Sequence, residues 1–576
     1  MHNPALCQSW EEGKDYKIFM FPDQNRNTCE CLHCHKMFKN TNYLRYQHQD
    51  HCSMIQHKGK PPFKTMSIRE YFTDERDEDS ELIKLVKYVC ENAIAINTTQ
   101  SQTFQDLFKM KVSEETLRRA IIDYADKIKC QTKAQIKELI VSLILDGATI
   151  NENSGWYALG LSTRTRVYFY EVFHMSCTTT FALTDAINKK IDEIQKETHA
   201  VIVGACTDNA PNISNVFSME SEDGLAQIHK KFLLRVSCQA HTANLVNTTY
   251  ARDNPYYNRL RSIIKSFAAK LSEKKIHISL AIKNRCPLIR DQRWFTEYDA
   301  LDWIIKNRKI IQDSWQTIKF DLDMTTCPIS DEWELLLRAL EPLRHYVECV
   351  ETNICTIGKA WEHFVVMKKT LEDLSQNHFA KDLLAIVIQR WKSTSDANLL
   401  KLASFIKPYN QIQWKKLYEK IASKIRRGEA SEEDKEQFTK MTEEADLMVD
   451  TTIKYGKHMG YSFEEKDTEI LFLLTTATLS KNRVNDYYWE GMSSSSSNVA
   501  LEASKRGIDA DNKSICQISE FYNKLRSLPS SEAFCERIFA NMRTLFPDSR
   551  YSCNDDLIAS QTLIRMSLAL NRLYID

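Results

Sequence analysis

Asp146, Asp208 and Glu536 are acids placed where a metal-dependent nucleic-acid-cutting centre would need them. Asp146 ends the apolar run Ile140-Val-Ser-Leu-Ile-Leu145, and Asp208 ends Ala200-Val-Ile-Val-Gly-Ala-Cys-Thr207. Such runs read as buried strands of a largely parallel sheet, and packing alone gives no reason for an acid at their ends. The bland alternative for each aspartate is a turn former or helix cap. Glu536 lies in Leu528-Pro-Ser-Ser-Glu-Ala-Phe-Cys-Glu-Arg-Ile-Phe539, which reads as a capped helix start. Together the three carboxylates would cage Mg²⁺ or Mn²⁺, since hard cations take oxygen ligands and retain water. Two such ions about 4 Å apart can grip the attacking and leaving oxygens of a phosphodiester.

A second constellation sits near the start. Cys31-x2-Cys34, thirteen residues, then His48-x3-Cys52 has the spacing of a structural zinc site. Thiolate and imidazole suit tetrahedral Zn²⁺, and so short a segment has too little core to fold without it. Cys31, Cys34, His48 and Cys52 are the favoured ligands, with Cys29 and His51 as rivals. Residues 31–66 carry six Lys or Arg against one acid, which suits phosphate contact, with Lys36, Lys39 and Arg45 as candidates.

The elements that must position these residues follow from the apolar pattern. Leu82 to about Lys137 reads helical, with Leu82, Leu85, Val86 and Val89 on one face and a capped start at Ser113. From Ile140 the period changes. Strands are expected at 140–145, 156–162 and 167–173, a helix at about 180–197, then strands at 200–206 and 233–237. A three-strand meander, a helix and a return strand fit a ribonuclease H-like sheet, in which the first and fourth strands are neighbours. That neighbourhood would bring Asp146 and Asp208 together. From about 241 to 490 the chain reads as a long helical array. Ser493 to Ser497 reads as a loop. The expected class is α/β plus all-α, with divisions at 1–66 (zinc finger), 67–137 (helical), 138–250 (sheet), 251–514 (helical insertion) and 515–576 (return to the sheet).

Composition narrows the classes. The 576 residues are 43% hydrophobic and 27% charged, with formal net charge zero, so nucleic-acid affinity must come from local patches. No run of about 18 uncharged apolar residues suggests a membrane span, and the opening residues lack a basic-then-apolar signal. Seventeen cysteines without such a signal point to reduced thiols in cytosol or nucleus, some of them on metal. One local patch is Arg252 to Arg293, with eleven Lys or Arg against three acids, a candidate DNA-backbone track. A solvated helix face is its bland alternative.

Four segments occur in a telling order: Thr207-Asp-Asn-Ala-Pro-Asn212, Cys238-Gln-Ala-His241-Thr-Ala-Asn-Leu245, Arg293-Trp294, and Leu528-Pro-Ser-Ser531 with Glu536-Arg-Ile-Phe539. Together they resemble the hAT family of cut-and-paste DNA transposases over nearly the whole chain. The N-terminal stretch resembles the BED-type zinc finger that usually accompanies it, with Trp10 and Phe19 or Phe21 as upstream aromatics. The resemblance implies a ribonuclease H-like fold interrupted by a large helical insertion before the glutamate. It also implies a D-D-E triad of Asp146, Asp208 and Glu536 holding catalytic Mg²⁺ or Mn²⁺.

By the same match, His241 lies near the active site in a phosphate-contacting or proton-handling role. Trp294 acts during hairpin formation on DNA, with Arg293 on a phosphate. Residues from Ile518 to Leu573 form a dimerisation region. The two bland alternatives are a satisfied core histidine and a helix-packing tryptophan. The sequence departs from the family in having Ala148 where a Trp is usual, Ala540 where Ser is common, and Leu44 four rather than three residues before His48. The expected activity is metal-dependent cleavage and transfer of double-stranded DNA ends in the nucleus, by a self-associating protein with no membrane partner. The alternative is a domesticated, inactive zinc-finger DNA-binding and dimerising regulator.

Overall fold

Helical periodicity gives way to apolar runs at residue 140, and the backbone changes there from helix to strand. The computed structural model describes residues 16–21, 26–31, 37–38, 80–109, 111–151, 154–290, 295–319, 325–352, 355–393, 396–464, 512–546 and 554–573. By its contacts the chain divides into two units, Met1–Ser80 and Glu81–Asp576. In the first, β1 (Tyr16–Phe21), β2 (Arg26–Cys31) and β3 (Met37–Phe38) form an antiparallel sheet in that order. Cys31 ends β2. Cys34, His48 and Cys52, with Lys36, Lys39 and Arg45, lie outside the described residues.

The second unit begins with α1 (Glu81–Glu91) and α2 (Glu114–Gln135). Leu82, Leu85, Val86 and Val89 recur at helical spacing, and all four are buried. The Ser113 hydroxyl accepts the Thr116 amide, and Glu114 and Glu115 sit at the positive end of α2. Next, β4 (Ile140–Asn151), β5 (Ser154–Ser162) and β6 (Val167–Met175) make an antiparallel meander. α3 (Thr180–Thr198) then crosses over, and β7 (Val201–Thr207) returns parallel to β4. With β8 (Leu234–Ser237) the sheet order is β6-β5-β4-β7-β8, so the first and fourth strands are indeed neighbours. Val141, Leu143, Leu145, Leu159, Leu161 and Ala205 form one apolar face, and Leu183, Ile187, Ile191 and Ile194 of α3 cover it.

After β8 the described residues are helical as far as His458. They include α4 (Gln239–Asp253), α5 (Pro255–Leu271), α6 (Thr296–Lys306), α7 (Asp331–Val350), α8 (Ile357–Asp373), α9 (His378–Ser393), α10 (Ala397–Phe405) and α11 (Glu432–His458). Their core is built on large rings such as Phe267, Trp333, Tyr346 and Phe379, and it runs into the sheet through Cys206 and Cys238. The chain then comes back. α12 (Asn512–Leu525) packs on Val203, Leu234 and Val236, and α13 (Ala533–Leu545) packs on β4 and β5. α14 (Asp555–Leu573) packs on β6, α1, α2 and α13. Of its apolar positions, Leu557, Leu563, Ile564 and Leu570 are buried, whereas Ile558 and Leu568 are only partly so. The architecture is mixed α/β and mostly helical, with a small mixed sheet. Among the described residues no helix is long and apolar enough to cross a membrane.

One boundary differs from expectation. β4 does not stop at Leu145 but runs on to Asn151. The parallel ladder with β7 ends at Leu145 and Thr207, while the antiparallel ladder with β5 continues to the hairpin. Asp146 therefore lies within a strand, at the point where it loses its parallel neighbour.

Candidate active site

Register decides which side chains meet across β4 and β7. Val141 pairs with Ile202, but Ser142 pairs with Gly204, so Val203 is an extra residue, a bulge. Beyond it Ile144 faces Cys206 and Leu145 faces Thr207, the last pair of the ladder, so Asp146 and Asp208 each follow that pair by one residue. Without the bulge Asp146 would stand beside Thr207. Asp208 would then fall on the other face, because side chains alternate along a strand. Neighbouring strands lie about 5 Å apart, which sets the separation from which the two carboxylates start.

Gly204 makes this geometry possible. A Cβ there would come within 2.3 Å of the Leu234 carbonyl oxygen. After β7 the chain turns, with Asp208 Oδ1 accepting the Ala210 amide at 3.1 Å. Arg235 braces the turn, donating to Thr207 Oγ1 at 3.0 Å and to the Asp208 carbonyl at 2.6 Å. Asn212, from the same motif, donates to Tyr157 Oη at 3.4 Å and ties the following helix to β5.

Glu536 arrives on α13. The Cys535 thiol donates to the carbonyls of Ile144 at 3.5 Å and Ala158 at 3.4 Å, and Ala158 is the β5 partner of Asp146. Gly160 makes room for the helix, since a Cβ there would meet the Phe534 ring at 2.9 Å. α13 thus lies on the face of the sheet to which Asp146 points, opposite α3. The segment before it is strapped down at both sides. Thr356 bridges Pro529, the Ser530 amide donates to the Cys355 carbonyl at 3.1 Å, and the Ser530 carbonyl accepts the Gln239 amide at 2.9 Å. The Leu528-Pro-Ser-Ser and Cys238-Gln-Ala-His motifs therefore touch. The capped start expected here takes this form: Ser531 Oγ accepts the Ala533 amide at 3.1 Å, and the N-cap residue is Glu532, whose side chain makes no cap bond.

Charge accumulates here. Burial, then the neighbouring charges of Asp208 and Glu536, push the Asp146 carboxyl up to about 8, against the opposing Gly147 amide and Arg543. Asp146 Oδ1 accepts that Gly147 amide at 2.8 Å. Glu536 is exposed at the rim, one helical turn from Glu532, which is only 2% exposed. Burial and the charges of Asp146, Asp208 and Glu536 hold Glu532 well above the usual carboxylate range, with a Cys238 hydrogen bond opposing. His241, at the start of α4, is held below its usual range mainly by burial; Asp208 pulls it up and Arg390 adds to the lowering. The structure therefore brings Asp146, Asp208, Glu536 and His241 into one neighbourhood.

Whether this donor set suits a hard cation can be judged from its chemistry. Only carboxylate oxygens converge, they repel one another, and Glu532 Oε2 is buried with no hydrogen-bond partner among the described residues. Among the described residues, however, no three His, Cys, Asp or Glu side chains are drawn together tightly enough to enclose an ion.

The remaining expectations fare unevenly. Arg293 and Trp294 lie outside the described residues. Within the basic stretch Arg261 turns inward, its guanidinium 2.7 Å from buried Glu297, so it is no part of a surface track. Arg537 donates to the Glu351 carbonyl at 3.4 Å. Sequence reasoning missed Glu532, Arg543 and the buried thiols of Cys206 and Cys535. The spacing of Glu532 and Glu536, one turn apart in an apolar segment, was the signal available. Compared with protein-family models and with curated proteins, the chain matches none.

Proposed function

We propose that this chain is a DNA transposase-like protein with a ribonuclease H-like core, which binds transposon ends and cuts and joins DNA using Mg²⁺ or Mn²⁺. The observation that carries the reading is that Asp146 and Asp208 follow the ends of the parallel ladder of the central strands β4 and β7, while α13, bonded to β4 through Cys535, brings Glu536 near enough for its charge to act on Asp146. The motif order shared with hAT transposases supports it. Asp146, Asp208 and Glu536 would hold the cations, whose chemistry when bound is Lewis-acid activation of the phosphodiester oxygens. His241 stands near Asp208, held largely neutral by burial, and so can accept a proton or contact a phosphate. The N-terminal unit is assigned as a BED-type finger holding Zn²⁺ through Cys31, Cys34, His48 and Cys52, on their spacing. The same reading includes self-association and a nuclear location.

The test is nicking of a plasmid carrying short terminal inverted repeats, with Mg²⁺ or Mn²⁺, by the wild-type chain and by Asp146→Asn. The expected loss is more than about 100-fold, because several kcal/mol of charge stabilisation depends on the acids. Full activity in the mutant would remove the triad from the mechanism. A second reading, a DNA-binding regulator of the same ancestry that does not cut, draws on Ala148 in place of the usual Trp. It expects zinc-dependent DNA binding with no nicking by either protein.

A further inference from the structure

We infer that the groove between α8, α9 and α10 docks an acidic amphipathic helix of a partner protein. The inference is independent of the acids on the sheet. The groove has a volume of about 750 Å³ and is lined along α8 by Trp361, Phe364, Val365, Lys368, Lys369 and Glu372. These positions recur at helical spacing, so they form one stripe about three turns, roughly 16 Å, long. α9 contributes Ile388 and Trp391 to the lining, and α10 contributes Ala397. A partner helix of similar length can lie along such a stripe and set its anchors into the groove.

Apolar surface and charge together select the occupant. Phe364 stacks on Trp391 with ring centroids 4.8 Å apart, and both side chains are buried. Beside them Val365 stays 49% exposed and Trp361 is half-buried, so aliphatic surface lies open within the groove. The lysines of the lining are Lys368, Lys369, Lys392 and Lys401, against the acids Glu372 and Asp373. Lys368 pairs with Glu372 at 3.0 Å, and Lys401 pairs with Glu444 at 2.9 Å. Lys369 and Lys392 are exposed and enter no ion pair among the described residues. Two unpaired lysines around an apolar centre complement an acidic helix with aliphatic anchors. A nucleic acid fits less well. Stacked bases need an open aromatic face, and here the Phe364 and Trp391 rings are buried against each other. Glu372 and Asp373 would also repel phosphates, whereas a peptide can meet them with a lysine of its own.

The test pans a displayed library of random peptides, about 16 residues or four turns long, on the full chain. Recovered peptides are then measured by fluorescence anisotropy against the wild type, Val365→Asp, and the double variant Lys369→Glu with Lys392→Glu. All three positions are exposed, and an unchanged Tm checks that each variant folds. The inference expects the recovered peptides to be acidic, with apolar residues at i, i+4 and i+7. It expects them to bind each variant about tenfold or more weakly than the wild type. Added salt is expected to weaken wild-type binding and to weaken binding by the lysine variant less. Recovered peptides that lack this pattern, or that bind the variants as tightly as the wild type, overturn the inference. Duplex DNA affinity lost in the lysine variant while peptide binding persists overturns it in favour of a nucleic-acid surface. Recovery of no peptide overturns it too, and a smaller sedimentation coefficient for the same variant then assigns the groove to a second copy of the chain.

Discussion

Asp146 is the residue whose environment makes the sharpest demand. An aspartate ordinarily titrates near 4, but burial and the charges of Asp208 and Glu536 push this one up to about 8. Between those values the folded chain holds a proton that the unfolded chain releases. Folding stability without cation therefore falls as pH rises through this window, and the loss is complete above about 8. Cation binding works the other way, since it needs the carboxylate and displaces the proton. Mn²⁺ binding at pH 7, followed by calorimetry in buffers of differing ionisation enthalpy, is expected to release protons, and Asp146→Asn to release fewer. Equal proton release by the two proteins would contradict the assignment. At this scale the sequence was partly legible. Asp146 and Asp208 announced themselves by interrupting apolar runs, whereas Glu532 did not, because its meaning depends on what α13 packs against. Arg261 misled for the same reason: its partner Glu297 is brought to it only by folding.

At the scale of elements, one extra residue in β7 decides whether two aspartates meet. The apolar run Ala200–Cys206 showed that a strand was there, but uniform hydrophobicity hides a bulge; the isolated Gly204 was its one sign. The strands and the crossover helix could be read from periodicity, and the neighbourhood of the first and fourth strands from the ribonuclease H-like topology that their order fits. The register could not, because it depends on backbone contacts with Leu234 on β8. Two glycines separate the effects. At Gly204 a new Cβ meets backbone, which cannot move without breaking the β7–β8 ladder. At Gly160 it meets the edge of the Phe534 ring, which can shift. Gly204→Ala is expected to cost about 3 kcal/mol, at the upper end for overpacking, and Gly160→Ala about 1 kcal/mol. Urea unfolding midpoints measure both. A Gly204→Ala cost no larger than that of Gly160→Ala would count against the close approach that holds the bulge.

For the whole molecule, the site exists only because the chain returns to its starting sheet. Cys535 bonds to Ile144 across a sequence separation of 391 residues, and the helical array from α4 to α11 occupies the interval. The sequence conveyed this organisation in outline, since strand patterning stops near residue 241 and a serine–glutamate helix start appears at the end. It did not convey how the insertion contributes to the site. Ser237 and the α4 start are held through Asp396, Ser530 and Cys355, contacts whose partners lie far apart in sequence. Directed cleavage of the polypeptide tests the convergence most directly. Fe²⁺ loaded in place of Mg²⁺, with ascorbate and peroxide, cuts backbone close to wherever it binds. The account expects cuts near Asp146, Asp208 and Glu536 together, all suppressed by excess Mg²⁺. Cuts confined to one of these segments, or cuts that Mg²⁺ does not suppress, would contradict it.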